Sequence, residues 1–440
     1  MSVDLPKGWQ EARFGKLAKE VRTRGLGNGP YPVLSVTKHR GFVRSSEYFT
    51  KTIHSADTDQ YKLVRKGQFA YATIHLDEGS IDLLQKFDAG LISPMYTVFE
   101  VQPGVLDPFF ALRSLKRLAL SGRFAPYSNG GVNRRRSIAF RDLAAYKYQY
   151  PPYPEQLAIG EVLRSVEDVI ARKLELISSL GETKKAVMRE LLTKGTRRDN
   201  AALKPLPERW VLGRIAEGVD QIPTDWKLVR LTSVAKLESG HTPNRDKPEY
   251  WGGTIPWLSL GDTDALDQLT IENTLEQVTE KGIKNSSARV LPVDTVVFSR
   301  TATVGKACRL AVEMATSQDF ANWVCGSDLD PRYLLQVFRH MKREWDRLQA
   351  GSTHQTIYMP TFKRLQILLP PKAEQEKIAD TGEAFDRCIE AEKQSLAELQ
   401  NTRAALAQEL LSGRLRLPAS MIARFENSLP SGNTPEAVTA

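Results

Sequence analysis

The sequence predicts an α+β protein with an internal pseudo-twofold repeat: two mixed α/β modules joined by two long antiparallel helices that form a coiled coil. Three observations predict it. Residues 151–192 align without a gap to residues 370–411, at a constant offset of 219 and with 12 of 42 positions identical. Within both segments the apolar residues step alternately by four and three, the spacing of a coiled-coil seam. Ahead of both lie stretches of similar length that share a weaker set of landmarks. A period of this size marks a duplicated module plus helix and excludes a solenoid. The frame is a module over 1–150, a helix over 151–194, a linker over 195–221, a module over 222–371, a helix over 372–415 and a flexible tail over 416–440.

The modules come first in each repeat. Leu5-Pro6-x-x-Trp9-x-x-x-Arg13 matches Ile222-Pro223-x-x-Trp226-x-x-x-Arg230, and residues 61–71 match 288–298 as a turn followed by a buried strand. Asp107-Pro108 and Asp330-Pro331 each read as a helix N-cap with proline in the first turn. Between these landmarks, short β-branched and aromatic runs alternate with Gly, Pro, Asn and Asp, the pattern of a module rich in short strands.

Each helix opens after a proline pair, Pro151-Pro152 and Pro370-Pro371, which cannot continue a strand ladder and so mark a strand end and a helix start. The first seam is Ile159, Leu163, Val166, Ile170, Ile177, Leu180, Val187 and Leu191; the second is Ile378, Phe385, Ile389, Leu396, Leu399, Leu406 and Leu410. Subtracting 219 places every member of the second on the first. Lys173 with Glu392, and Lys184 with Arg403, interrupt the two seams at matching levels. They read either as solvated positions where long side chains snorkel or as a register device. A helix of about 40 residues is roughly 60 Å long, and a single apolar stripe on it needs a partner. Its copy in the same chain is the nearest. Parallel packing would force the linker back along the whole helix, whereas antiparallel packing keeps the connection short and puts a module at each end of a rod.

Composition bounds the chemistry. At 440 residues, 41% hydrophobic and 26% charged, the chain describes a globular protein of two or three domains. No apolar run approaches the ~18 residues of a membrane span, and no secretory leader is visible at the N-terminus. Three scattered cysteines offer neither a disulfide framework nor a metal knuckle. A reducing cytoplasm is the expected setting. Net charge is +9, permissive of a polyanion, and it is uneven. Residues 1–150 hold 23 Lys/Arg against 13 Asp/Glu, whereas residues 222–371 hold 18 against 17.

The loops that differ between the modules are equipped to contact phosphates and base edges. The first module offers Thr37, Lys38, His39 and Arg40, then Asn133, Arg134, Arg135 and Arg136. Ser239, His241, Thr242, Arg300, Lys306, Ser352, His354 and Gln355 are the candidates in the second. Taken singly, each also reads as ordinary polar surface; as a group they point to DNA.

Catalytic signals are weak. Asp107-Pro108-Phe109-Phe110 lacks the second proline of the acidic-Pro-Pro-aromatic motif of amino-methyltransferases, and the helix cap explains it and its counterpart alike. Residues 304–307 are not a phosphate loop, because position 300 is Arg and no Ser or Thr follows Lys306. Six histidines form no metal-binding pair on a helix. Trp251, Trp257 and Trp323 read as frame residues. No catalytic residue, no metal ligand and no cofactor of its own is expected.

These features together resemble the specificity subunit of type I restriction-modification systems, over roughly residues 5–417. Both helices open with the family's Pro-Pro…Glu-Gln…Ile pattern, at Pro151, Pro152, Glu155, Gln156, Ile159 and at Pro370, Pro371, Glu374, Gln375, Ile378. Leu410-Leu411-Ser412-Gly413-Arg414 looks like the family's helix ending; Leu191-Leu192-Thr193-Lys194-Gly195 carries one extra Lys before its Gly. Familial too are Ser-Gly-x-Thr-Pro at 239–243, Glu249-Tyr250-Trp251, Ile255-Pro256-Trp257, Gly351-Ser352-Thr353, Gly79-Ser80-Ile81 and Ser93-Pro94-Met95-Tyr96. The resemblance implies two target recognition domains. Each would read half of a split, asymmetric double-stranded DNA site, with the helices as spacer. It also implies two modification (methyltransferase) subunits and two restriction (translocase and nuclease) subunits as partners, with S-adenosylmethionine, ATP and Mg bound on them. Alternatives are the specificity subunit of a type IIB-like or stand-alone methyltransferase, and, in another class, a coiled-coil scaffold that binds proteins.

Overall fold

The computed structural model describes residues 5–25, 31–48, 58–128, 137–196, 202–206, 220–349 and 355–428. Contacts divide the chain into two compact units, Met1–Arg172 with Leu396–Ala440, and Lys173–Ser395. The units cut across the chain segments: each takes one module and a part of both long helices, which span Tyr153–Lys194 and Lys372–Ser412.

In the first unit, an antiparallel sheet has the order Ala18–Val21, Tyr96–Val101, Phe69–Ala72, Ile81–Leu83. A second sheet orders Gly41–Arg44, Val33–Thr37, Ala89–Ile92 and Lys62–Arg65, with Val33–Thr37 parallel to Ala89–Ile92. Gln10–Arg13 pairs with Lys147–Tyr150. Aromatic side chains fill the core: Phe69 stacks on Phe99 with centroids 4.7 Å apart, and Phe14 meets Phe99 and Tyr148 edge-on. The helix Pro108–Leu120 closes this core together with Ile159, Leu163, Leu410 and Leu411 of the long helices.

The second unit repeats the four-strand order of that antiparallel sheet as Ala235–Ser239, Phe320–Cys325, Val296–Ser299 and Ala307–Leu310, then adds Thr270–Ile271 parallel to the last. A separate sheet joins Glu276–Val278, Trp251–Leu258 and Ala315–Thr316. Lys227–Arg230 pairs with Gln366–Leu369, as its counterpart does in the first unit. Trp226, Trp323, Tyr333, Phe338 and Trp345 form a core with Met188, Leu192 and Ile378. The matched turn before the buried strand holds Gly67 at φ +87° in one unit and Asp294 at φ +65° in the other. Asp is among the few side chains that tolerate this region, and its carboxylate also holds the partly buried Arg309.

Both Asp-Pro caps form as the sequence predicts. Asp107 Oδ1 accepts from Phe110 N and Asp330 Oδ1 from Arg332 N, each at 2.8 Å. The Gln of each Pro-Pro…Glu-Gln pattern then locks its cap to its helix. Gln156 Oε1 accepts from Asp107 N, and its Nε2 donates to Val105 O and Pro151 O. Gln375 does the same to Asp330 N, Asp328 O and Pro370 O. Three main-chain groups are satisfied by one side chain, identically in both units.

Along residues 164–187, seam residues are half-buried while most of those between them are exposed. The helices run antiparallel within each unit. In the first, Glu167 faces Arg403 and Glu155 binds Arg416; in the second, Lys173 faces Glu392 and Lys184 faces Asp386. Shifting both residues by 219 carries Glu167–Arg403 onto Asp386–Lys184 and Lys173–Glu392 onto itself. The seam interruptions are therefore ion pairs across the helices, at 2.5 Å for Lys173–Glu392 and 2.6 Å for Lys184–Asp386. Gly382 occupies the level of Leu163 because Gln336 of the helix Pro331–His340 lies where a Cβ would go.

Two segments differ from expectation. The chain after residue 415 is not a loose tail as far as Ser428. It forms the short helix Ala419–Ala423, and Arg416 and Arg424 bind Glu155 and Glu161. Part of the linker, Leu203–Pro205, pairs antiparallel with Gln221–Pro223. No helix among the described residues is long and apolar enough to cross a membrane.

Candidate nucleic-acid interface

In the second unit, four segments far apart in sequence meet at one edge. The backbone of His241 donates to Thr316 O at 2.9 Å, and a Cβ on Gly240 would overlap the carbonyls of Thr316 and Ser317. Only glycine lets residues 239–242 lie this close to residues 316–319. Thr242 Oγ1 donates to Gln318 Oε1 at 2.7 Å. Arg300 Nε donates to Gln318 O at 2.9 Å, and Arg300 N to Asp319 O at 2.9 Å. Ile357 N donates to Arg300 O, and Ala302 N to Gln355 O. Ser239, His241, Thr242, Arg300 and Gln355 are thus brought together, with Gln318 and the exposed Tyr358 as members the sequence reading missed. Ala302 sits at φ +60° beside them, a strained conformation for a residue with a Cβ, of the kind that concentrates at functional loops.

Arg300 and Lys306 prove more structural than expected. Two Arg300 nitrogens are used on the main-chain carbonyls of Gln318 and Ile357, so this side chain braces the edge. Lys306 Nζ bonds Thr263 O and Asp267 at 2.9 Å, with Asp264 at 3.6 Å. The hydrogen bond to Asp267 holds its pKa above the usual value. Its charge is already matched within the unit.

The tryptophans act as frame. Trp257 Nε1 donates to His241 O at 3.1 Å, and Trp251 Nε1 to Asn244 O at 3.2 Å. Arg245 lies over both rings, 3.9 Å and 5.0 Å from their centroids, and its guanidinium is paired with Glu276. That cation–π stack fastens the 239–245 loop to the sheet. It also accounts for the Ser-Gly-x-Thr-Pro, Glu-Tyr-Trp and Ile-Pro-Trp motifs occurring together.

The first unit builds a matching edge. Thr73 N donates to Met95 O as Arg300 N does to Asp319 O, and Ile138 N donates to Thr73 O as Ile357 N does to Arg300 O. Val33–Thr37 and Ala89–Ile92 are parallel, so the hairpin tip at 38–40 and the turn at 93–96 leave the same side of their sheet. The tip is a three-residue loop closed by Gly41 at φ +61°, a residue type and conformation that such hairpins favour. Thr37 Oγ1 accepts from Arg40 N, and Asp82 accepts from Phe42 N at its base. Lys38, His39 and Arg40 are exposed, with Arg40 over the Tyr48 ring. Asn133, Arg134, Arg135, Arg136, Ser352 and His354 lie outside the described residues.

Among the described residues, neither edge arranges a nucleophile beside a base. Burial pushes the thiols of Cys308 and Cys325 up to about 12, which leaves them inert as thiolates. The edges can hydrogen-bond, brace and attract a polyanion.

Comparison with known proteins agrees with this arrangement. A family model described as the type I restriction modification DNA specificity domain matches residues 223–401. The MjaIX specificity subunit of Methanocaldococcus jannaschii is 29% identical over 187 residues, 42% of this chain and 43% of its own. The MjaVIII specificity subunit of the same organism is 21% identical over 430 residues, 94% of each chain. This chain therefore spans less than half of the first relative and nearly all of the second. A solved chain from a study of assembly and conformational transition of a type I restriction-modification system has the same fold, with a TM-score of 0.56 at 19% identity; the match covers 94% of this chain and 100% of that one. With the duplicated module, the paired helices and the two loop edges, these matches make the chain similar to the specificity subunits of type I restriction-modification systems, with the DNA specificity domain matched over residues 223–401.

Proposed function

We propose that the chain reads a bipartite, asymmetric DNA site, one half with each module, and anchors the methyltransferase and restriction subunits that act on it. The observation that carries this reading is one edge built twice with the same backbone bonds and different side chains, as two readers of different sequences require. Two weak contacts joined in one chain give one strong contact through effective concentration. The chain itself contributes recognition. Catalysis, S-adenosylmethionine, ATP and Mg belong to two modification and two restriction subunits, and the paired helices are the surface on which partners dock.

Binding to duplex DNA is expected to weaken steeply with salt, with the first module providing more of the slope. Replacing Lys38 and Arg40 by alanine lowers that slope by up to about 2, near 0.9 for each lost phosphate contact. The same replacement of Arg134, Arg135 and Arg136 has the same direction. Filter binding over a salt series checks both; an affinity without salt dependence or sequence preference would favour a protein-binding scaffold instead.

Spacer length tests the role of the helices. Inserting seven residues at matched levels of both adds about 10 Å. The expected product recognises the same two half-site sequences with a longer gap between them, read by mapping methylated sites in host DNA. Altered half-sites with an unaltered gap would refute it.

A further inference from the structure

The turn before the central strand of each module, Tyr96–Val101 or Phe320–Cys325, is built with the same bonds and filled differently. Residues 93–96 are Ser-Pro-Met-Tyr and residues 317–320 are Ser-Gln-Asp-Phe. In both, the serine hydroxyl accepts from the main-chain N–H two residues on, Met95 at 3.4 Å and Asp319 at 3.3 Å. The serine carbonyl accepts from the fourth residue, Tyr96 or Phe320, in both. The third residue's carbonyl accepts from the end of the neighbouring strand, at Thr73 or Arg300. With the backbone fixed this way and an aromatic residue at the fourth position in both, the chemistry of the central pair changes, Pro94-Met95 in one unit and Gln318-Asp319 in the other. Met95 is 58% exposed, an apolar side chain standing out from a polar edge. Gln318 is exposed too, and it is aimed: Thr242 holds its Oε1, and Arg300 holds its main-chain carbonyl.

We infer that this turn is a base-reading position of each module, with Gln318 reading adenine in one half-site and Met95 contacting a thymine methyl in the other. This rests on the proposed DNA-reading role and makes it specific. A glutamine carboxamide has two N–H donors and an acceptor oxygen with two lone pairs. One lone pair of Gln318 is taken by Thr242. The remaining lone pair and the Nε2 donors match the N6 donor and N7 acceptor that adenine presents in the major groove. Met95 offers only apolar contact, which suits the thymine methyl group. Arg300 and Thr242 are positioning residues for Gln318, so losing either should blur the same base position that Gln318 sets.

The test uses the full chain isolated with its natural partners and a pool of duplex DNA with randomised half-sites. The wild type is expected to enrich one bipartite sequence. Gln318→Ala should relax one position of one half-site by about 5- to 150-fold in preference, the range of a good two-bond base contact. Every other position and the salt slope should stay as they were. Met95→Ala should relax one position of the other half-site by a smaller factor. Thr242→Val should reproduce the Gln318→Ala position, a readout that a merely structural role would not give. Unchanged preferences in Gln318→Ala, or an equal loss at all positions, would overturn the inference alone. A wild type that enriches no sequence would overturn the DNA-reading role together with it.

Discussion

Gln375→Ala is expected to destabilise the second unit by roughly 3–6 kcal/mol. The side chain is fully buried and makes three bonds, accepting from Asp330 N at 2.8 Å and donating to Asp328 O and Pro370 O at 2.9 Å each. Alanine leaves all three main-chain groups without their partner, and a buried unsatisfied polar group costs about 1–3 kcal/mol. The loss also reaches the helix Pro331–His340, whose cap residue Asp330 is held by that bond. Gln156→Ala should cost about the same in the first unit, because its three bonds are of the same kind and length. Denaturant unfolding separates the two cases. Trp226, Trp257, Trp323 and Trp345 are buried in the second unit, so tryptophan fluorescence follows Gln375→Ala closely. Gln156→Ala should move it less, Trp9 being the buried tryptophan of the first unit. Gln375→Glu is the sharper control: it keeps the acceptor for Asp330 N, loses both donors and buries a charge, so it should be at least as damaging as alanine. A loss below about 1 kcal/mol in Gln375→Ala would mean that water replaces the amide.

That lock also marks the limit of what the sequence could tell. Glu-Gln recurs at the start of both helices and is visible as a repeat, but the cap N–H groups that its Gln satisfies lie 49 and 45 residues upstream. Seams, caps and the module frame were legible because their signals are local: a period of 3.5, a proline after an aspartate, a glycine at a hairpin. The reading edge was legible only in part. It is assembled from residues 239–242, 300–302, 316–319 and 355–357 by main-chain bonds that no local pattern encodes. Gln318 was overlooked because a polar triplet ahead of a buried strand resembles any turn. Its signal lay in the comparison with Ser93-Pro94-Met95-Tyr96, at the same distance ahead of the matching strand. Lys306, a candidate contact in the sequence, has its carboxylate partner Asp267 39 residues away, beyond any local pattern.

The seam charges give the other large effect. Asp386→Ala is expected to cost about 2–4 kcal/mol, somewhat less than the ~3–5 kcal/mol of breaking a fully buried pair. Lys184 and Asp386 retain only 15% and 17% side-chain exposure. Asp386 accepts from Lys184 at 2.6 Å and from Gln336 Nε2 at 2.9 Å, and faces Arg339 at 3.4 Å. Removing it leaves two cations near one another without their common anion. Burial already lowers the Lys184 pKa, with Asp386 opposing that shift. In the variant the opposition is gone, so the folded-state pKa falls further below the usual lysine value. The unfolded chain then binds more protons than the folded one between those two pKa values, and stability rises with pH across that window. The deficit should therefore be full at neutral pH and shrink towards pH 10, read from denaturant midpoints over a pH series. Replacing both residues, Lys184→Leu with Asp386→Leu, removes the uncompensated charge and should recover most of the loss. Arg339 keeps its bonds to the carbonyls of Ala307 and Gln268 in either variant. If Asp386→Ala costs less than about 0.5 kcal/mol at neutral pH, the pair is no more than two snorkelling side chains. A double variant as unstable as the single one would place the cost in lost packing, since the charges would then be absent from both.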